Sequence, residues 1–197
     1  DVYKRQGKDI DLRISCYNYN NDATRNLKTY DGTILTDNIH NANNQNVKNI
    51  LGKIDFSFPY TWGKISFGGK VSFFKTHNIT SQIDLFKEKY SKTINDQFNY
   101  SEKTQAAYFS FDKSFFQDKL NFQIGLRTEF TQTIGESVSS RSIEKNQYYE
   151  FFPTAYVLYR LDNQSEVSLS YGRRINRPDF SYLNPFKWIS NPYYYSC

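Results

Sequence analysis

Long apolar runs are missing from this chain. No stretch approaches the ~20 apolar residues that a membrane-spanning helix needs. A mean hydropathy of -0.73 and 23% charged residues exclude a helical membrane protein. Residues that carry chemistry are equally scarce. Of two cysteines, Cys16 falls inside an alternating run and Cys197 is the last residue, so neither a disulfide framework nor metal or redox spacing exists. The two histidines, His40 and His77, stand in or beside polar segments without carboxylates or cysteines at ligand spacing. They read as solvated, and no hydrolytic triad can be assembled around them. The expectation is therefore no enzyme, no metal and no cofactor. The net charge of +5 comes from scattered Lys and Arg, the tightest group being Arg173, Arg174 and Arg177. Without a basic face or a reading motif, nucleic acid is not an expected partner. Gly68-Gly69 is followed by no Gly-Lys-Ser/Thr, so it reads as a packing or strand-bending element rather than a phosphate loop. The sequons at Asn78 and Asn163 read as chance in an Asn-rich chain.

Aromatic residues, by contrast, are abundant: 17 Tyr and 17 Phe raise the aromatic content to 18%. That is too many for a disordered polar chain, and such rings favour strands and membrane interfaces. They fall into runs of period two. In the best, Leu120, Phe122, Ile124, Leu126, Thr128 and Phe130 alternate with Asn121, Gln123, Gly125, Arg127, Glu129 and Thr131. A period of two puts the sets on opposite faces of a strand, and ~10 residues of such alternation suit a strand between lipid and a watery lumen.

The same reading predicts about seven strands. They are Asp9–Tyr19, Val47–Phe58, a third carrying Ile65 to Phe73, Glu102–Ser114, the run at Leu120, an ambiguous sixth over Tyr148–Leu161, and Glu166–Arg174. In the sixth, Tyr156 and Leu158 oppose Ala155, Val157 and Tyr159. Short turns at Pro59–Gly63, Gln117–Lys119 and Asp162–Ser165 close three hairpins, whereas Asn20–Asn46, Thr76–Ser101 and Ile134–Asn146 read as long polar loops. Short turns at one end and long excursions at the other are the habit of outer-membrane barrels, with the short turns periplasmic. The fold class expected is therefore all-β: a fragment of an antiparallel transmembrane β-barrel with about seven strands. An odd strand count and a polar aromatic tail point to a piece of a larger barrel, whose open edges close only with further strands. Asp1–Gln6, reading DVYKRQ, resembles translated adapter sequence, which leaves 7–197 as a partial barrel domain.

Candidate functional residues follow from the polar face. Asp11, Arg13, Lys53, Asp55, Lys70, Arg127 and Glu129 are candidates for lining a lumen, either pairing across strands or contacting something inside. Tyr30, Tyr90, Phe98 and Tyr100 are loop aromatics that pack loops or touch a ligand.

From Phe152 onward the chain reads FPTAYVLYRLDNQSEVSLSYGRRINRPDFSYLNPF. Leu169-Ser170-Tyr171, the run Arg173-Arg174-Ile175-Asn176-Arg177-Pro178, and Leu183-Asn184-Pro185-Phe186 together closely resemble the outer-membrane β-barrel family of TonB-dependent receptors from Bacteroidetes. Gln105 to Phe111 and Phe122 to Phe130 resemble strands of the same family. The resemblance implies a barrel of about 22 strands, an N-terminal plug, and uptake of a scarce nutrient (siderophore, glycan or peptide) powered by the TonB complex. Neither plug nor TonB box matches any residue here, so the expected partners are outer-membrane lipid, an unknown small ligand, and TonB through a plug not seen in this chain. Within the matched segment Arg173, Arg174, Asn176, Arg177, Pro178, Asn184 and Pro185 read as an ordered loop motif braced by fixed prolines and multi-donor arginines. A plugless structural or adhesive barrel is the alternative, and a soluble carbohydrate-binding β-sandwich is disfavoured by the apolar strand faces.

Overall fold

A computed structural model describes residues 7–85, 94–161, 165–176, 188–191 and 194–196. Seven strands pair in sequence order into one antiparallel sheet: β1 (Asp9–Asp31), β2 (Ile34–Tyr60), β3 (Gly63–Asp84), β4 (Ile94–Phe115), β5 (Leu120–Ser137), β6 (Ser142–Arg160) and β7 (Glu166–Gly172). Each strand pairs only with its neighbours in sequence, and β1 does not pair with β7, so the sheet is open. A separate short hairpin, β8 (Trp188–Asn191) and β9 (Tyr194–Ser196), stands where the sequence reads as a loop.

Register brings the apolar residues of neighbouring strands together on one face. Leu12 faces Ile54, Ile54 faces Gly69, Gly69 faces Ala107, and Ala107 faces Thr128. One row away, Phe56, Phe67, Phe109 and Leu126 line up across four strands. The ambiguous sixth strand resolves in the same way: Ala155 and Val157 join the apolar face opposite Ile124 and Phe122, while Tyr156 and Leu158 face Gln123 and Asn121.

Burial is inverted relative to a water-soluble sheet. Large side chains of the apolar face stay open, among them Leu12 (65%), Leu126 (49%) and Leu169 (73%). Polar groups on the other face are buried, including Thr131, Thr76, Asn78 and Glu129. The face that is covered is the polar one, as expected where lipid, not water, meets the outside. Along β5 the outward band from Leu120 to Phe130 runs roughly 34 Å at ~3.4 Å per residue. A tilt of about 40° makes it about 26 Å tall, close to the ~25 Å apolar band of outer-membrane barrels. Aromatic rings mark its lower rim: Phe56, Phe58 and Phe67 cluster, Tyr60 stacks on Trp62, and Trp62 stacks on Phe111.

The long excursions are real, but they are paired strands rather than loops. β1 and β2 continue through the Asn-rich segment to a tight turn at Gly32, whose φ of +60° suits glycine. Asparagine is depleted from strands in general. Here its amides find one another across the ladder: Asn46 donates to Asn20, Asn44 to Asp22, and His40 bonds Asn26. β5 and β6 likewise extend to a turn of four residues, 138–141. Tyr30, Phe98 and Tyr100 therefore sit in strands, whereas Tyr90 lies outside the described residues.

Candidate functional site

All seven polar-face candidates share one face of the sheet, within two adjacent rows. The first runs Asp11, Asp55, Gly68, Tyr108, Arg127 and Phe152; the second runs Arg13, Lys53, Lys70, Ala106, Glu129 and Glu150. Cross-strand neighbours therefore often carry the same sign: Asp11 faces Asp55, and Arg13, Lys53 and Lys70 follow one another. Opposed like charges repel. Pairing turns along each strand instead, to the residue two positions away on the same face. Arg13 reaches Asp11 at 2.7 Å, Lys53 reaches Asp55 at 2.6 Å, and Arg127 reaches Glu129 at 2.6 Å. Lys70 makes neither an ion pair nor a hydrogen bond among the described residues.

One side chain links these pairs, and it is absent from the sequence-based set. Tyr108 reaches across the facing Gly68 and donates its hydroxyl to Asp55. Its ring also carries the Arg127 guanidinium at 5.5 Å and the Lys53 ammonium at 5.8 Å. Gly68 is what admits it. A Cβ there would lie 2.7 Å from the Tyr108 hydroxyl and 2.4 Å from the Ile54 carbonyl oxygen. The packing role expected for Gly68-Gly69 thus has a specific form at Gly68, and a glycine in register with a polar-face tyrosine is the signal that could have revealed it.

Of the loop motif, Arg173, Arg174 and Asn176 are described, while Arg177, Pro178, Asn184 and Pro185 lie outside the described residues. Arg173 continues the β6–β7 ladder through its amide to the Pro153 carbonyl at 3.2 Å. Its guanidinium reaches the Glu150 carboxylate at 2.6 Å and the Phe151 carbonyl at 3.1 Å. Bracing by a multi-donor arginine is what the sequence leads one to expect. Arg174 and Ile175 then complete a cavity of about 520 Å³ with Tyr108, Arg127, Phe152 and Thr154. Three guanidinium groups and one carboxylate, Glu129, border it, an arrangement suited to polar or anionic solutes.

No group of three or more metal-ligating side chains occurs among the described residues. His40 and His77 lie in strands on the apolar-side parity, beyond the band, with His77 against Asn99 at 2.5 Å.

The model of a family described as "Outer membrane protein beta-barrel family" matches residues 2–197. Among solved structures, the chain is similar to the ferric citrate transporter FecA in its unliganded form, with a TM-score of 0.52, 12% identity, and coverage of 80% of this chain and 24% of that one. It is also similar to the ferric yersiniabactin uptake receptor FyuA from Yersinia pestis, with a TM-score of 0.57, 11% identity, and coverage of 81% of this chain and 24% of that one. At such identity the likeness shows the fold, and the chain spans about a quarter of those structures' length. No curated protein matches the sequence.

Proposed function

Since the chain belongs to the outer-membrane β-barrel family and resides in the cell outer membrane, we propose that it forms part of the wall of a TonB-dependent receptor that imports a scarce nutrient. The observation that carries this reading is the polar face. It concentrates three along-strand ion pairs and the Tyr108 bridge opposite an apolar face open to lipid. In a closed barrel that face lines the lumen, and Asp11, Arg13, Lys53, Asp55, Lys70, Arg127 and Glu129 border the passage. Both solved structures named above are uptake proteins for iron chelates. That supports a solute of the siderophore class, with glycans and peptides as the other classes. The motif from Arg173 to Phe186 supports a receptor of the Bacteroidetes type.

No step of the proposed activity is catalytic. The long β1–β2 and β3–β4 hairpins meet the solute outside, the charged rows contact it inside, and a plug elsewhere in the protein answers to TonB. Strands β1 to β7 are wall of that barrel. The test is uptake of radiolabelled ferric chelates and oligosaccharides by cells with and without the gene, before and after collapse of the proton-motive force. Energy-dependent uptake lost with the gene supports a receptor. Equal uptake across the panel, with surface adhesion lost instead, would establish the plugless structural or adhesive barrel.

A further inference from the structure

Three lysines point outward, away from the charged rows just described. On β2, β3 and β4, Lys48, Lys75 and Lys103 stand two residues above Ile50, Phe73 and Gln105, at the end of the sheet that carries the long hairpins. Lys48 and Lys75 are direct cross-strand partners, an arrangement that repels unless an anion lies between them. None of the three makes an ion pair among the described residues. Lys103 holds its ammonium 5.5 Å above the outward ring of Phe73, at the rim of the band. Directly beneath lies a second feature. Gly52, Gly69 and Ala107 lack bulk where their neighbours Leu12, Ile14 and Phe130 stand tall, which leaves a trough of about 660 Å³ in the lipid-facing surface.

We propose that this surface holds one phosphate-bearing lipid of the outer leaflet, its headgroup phosphate bound by Lys48, Lys75 and Lys103 and an acyl chain lying in the trough over Gly52, Gly69 and Ala107. Cations above and an apolar slot below match the two halves of such a lipid. A free phosphate would use only the first, and a lipid without phosphate only the second. The site faces lipid, so it does not depend on whether the barrel transports anything.

The experiment is native mass spectrometry of the full-length protein carrying this chain, in detergent. The probes are diphosphoryl lipid A, the same lipid dephosphorylated, and inorganic phosphate as competitor. Near an anionic surface three lysines together favour binding roughly a hundredfold. Diphosphoryl lipid A is expected to bind that much tighter than its dephosphorylated form, and the preference to vanish in the triple variant K48Q/K75Q/K103Q. The triple arginine variant keeps it, and excess inorganic phosphate leaves the lipid bound. Filling the trough with Gly69→Leu weakens retention of both lipids. Equal binding of the two lipids, an unchanged preference in the glutamine variant, or displacement by inorganic phosphate would each overturn the proposal. Should the triple variant fail to fold, Lys75→Gln alone decides it: a preference reduced about fivefold supports the site, and an unchanged preference overturns it.

Discussion

Replacing Gly68 with alanine tests the inner network at its narrowest point. The new Cβ would lie 2.4 Å from the Ile54 carbonyl oxygen and 2.7 Å from the Tyr108 hydroxyl. Either the ring swings away or the β2–β3 ladder shifts. Swinging away forfeits a hydrogen bond to a charged acceptor, about 1.5–3 kcal/mol, while staying costs overpacking strain of about 1–3 kcal/mol. The expected loss is about 1–3 kcal/mol by either route. The neighbouring glycine supplies the control, because a Cβ at Gly69 meets nothing closer than the Ala106 carbonyl oxygen at 3.5 Å. Gly69→Ala should be neutral, or stabilising by up to ~1 kcal/mol, since a strand glycine carries extra backbone entropy. The assay is urea unfolding of the full-length barrel refolded in detergent micelles, followed by the mobility difference of folded and unfolded bands. Tyr108→Ala in the Gly68→Ala background should recover part of the loss, leaving the share due to the Ile54 carbonyl. Equal stability of the two alanine variants, within ~0.5 kcal/mol, would refute the reasoning.

Charge placement gives a second expectation: Leu126→Arg, on the apolar face near mid-band, costs about 2–4 kcal/mol, whereas Gln123→Arg, on the polar face of the same strand, stays within ~1 kcal/mol in the same unfolding assay. Phe116, Gln117 and Asp118 all adopt positive φ (54°, 56° and 65°) in the β4–β5 turn. Left-handed backbone costs residues with a Cβ about 1–2 kcal/mol, so Gln117→Gly should raise stability by ~1 kcal/mol, and a loss would show the turn to be misassigned. Deleting residues 25–41 and rejoining the hairpin through a two-residue Asn-Gly turn should leave unfolding unchanged within ~1 kcal/mol while abolishing uptake; unchanged uptake would remove this hairpin from solute capture.

How much was legible beforehand depended on which rule governed each segment. Inside the band, alternation is enforced by two solvents, so the seven strands and the face of each of the seven charged candidates agree with the register. Beyond the band that rule lapses. Asn20 to Asn46 carries no apolar stripe, and its strand character rests on cross-strand amide partners such as Asn20 and Asn46, which only the register brings together. Tyr108 escaped notice for a related reason. Its role depends on Gly68 and Asp55, 40 and 53 residues away in sequence, and no local pattern joins them. The pairing of charges along strands rather than across them was likewise invisible, because it follows from like signs meeting in register.

The open edges carry the last consequence. β1 exposes its edge along Asp9–Cys16 and β7 along its whole length, with no partner strand among the described residues. Every second residue of an edge strand turns its N–H and C=O outward, so roughly four donors and four acceptors lie within the band on β1 alone. In hydrocarbon each costs several kcal/mol when unsatisfied, and the sum exceeds the ~5–15 kcal/mol that stabilises an ordinary domain. Pairing within this sheet cannot offset that, because Ile10, Leu12 and Ile14 gain from lipid contact only if their backbone is already satisfied. Residues 7–197 expressed alone should therefore fail to form a monodisperse monomer, in detergent or without it, and should associate through their edges on size-exclusion chromatography with light scattering. A stable monomer in water would mean that the apolar face is covered by the chain itself, and the assignment of that face to lipid would fall with it.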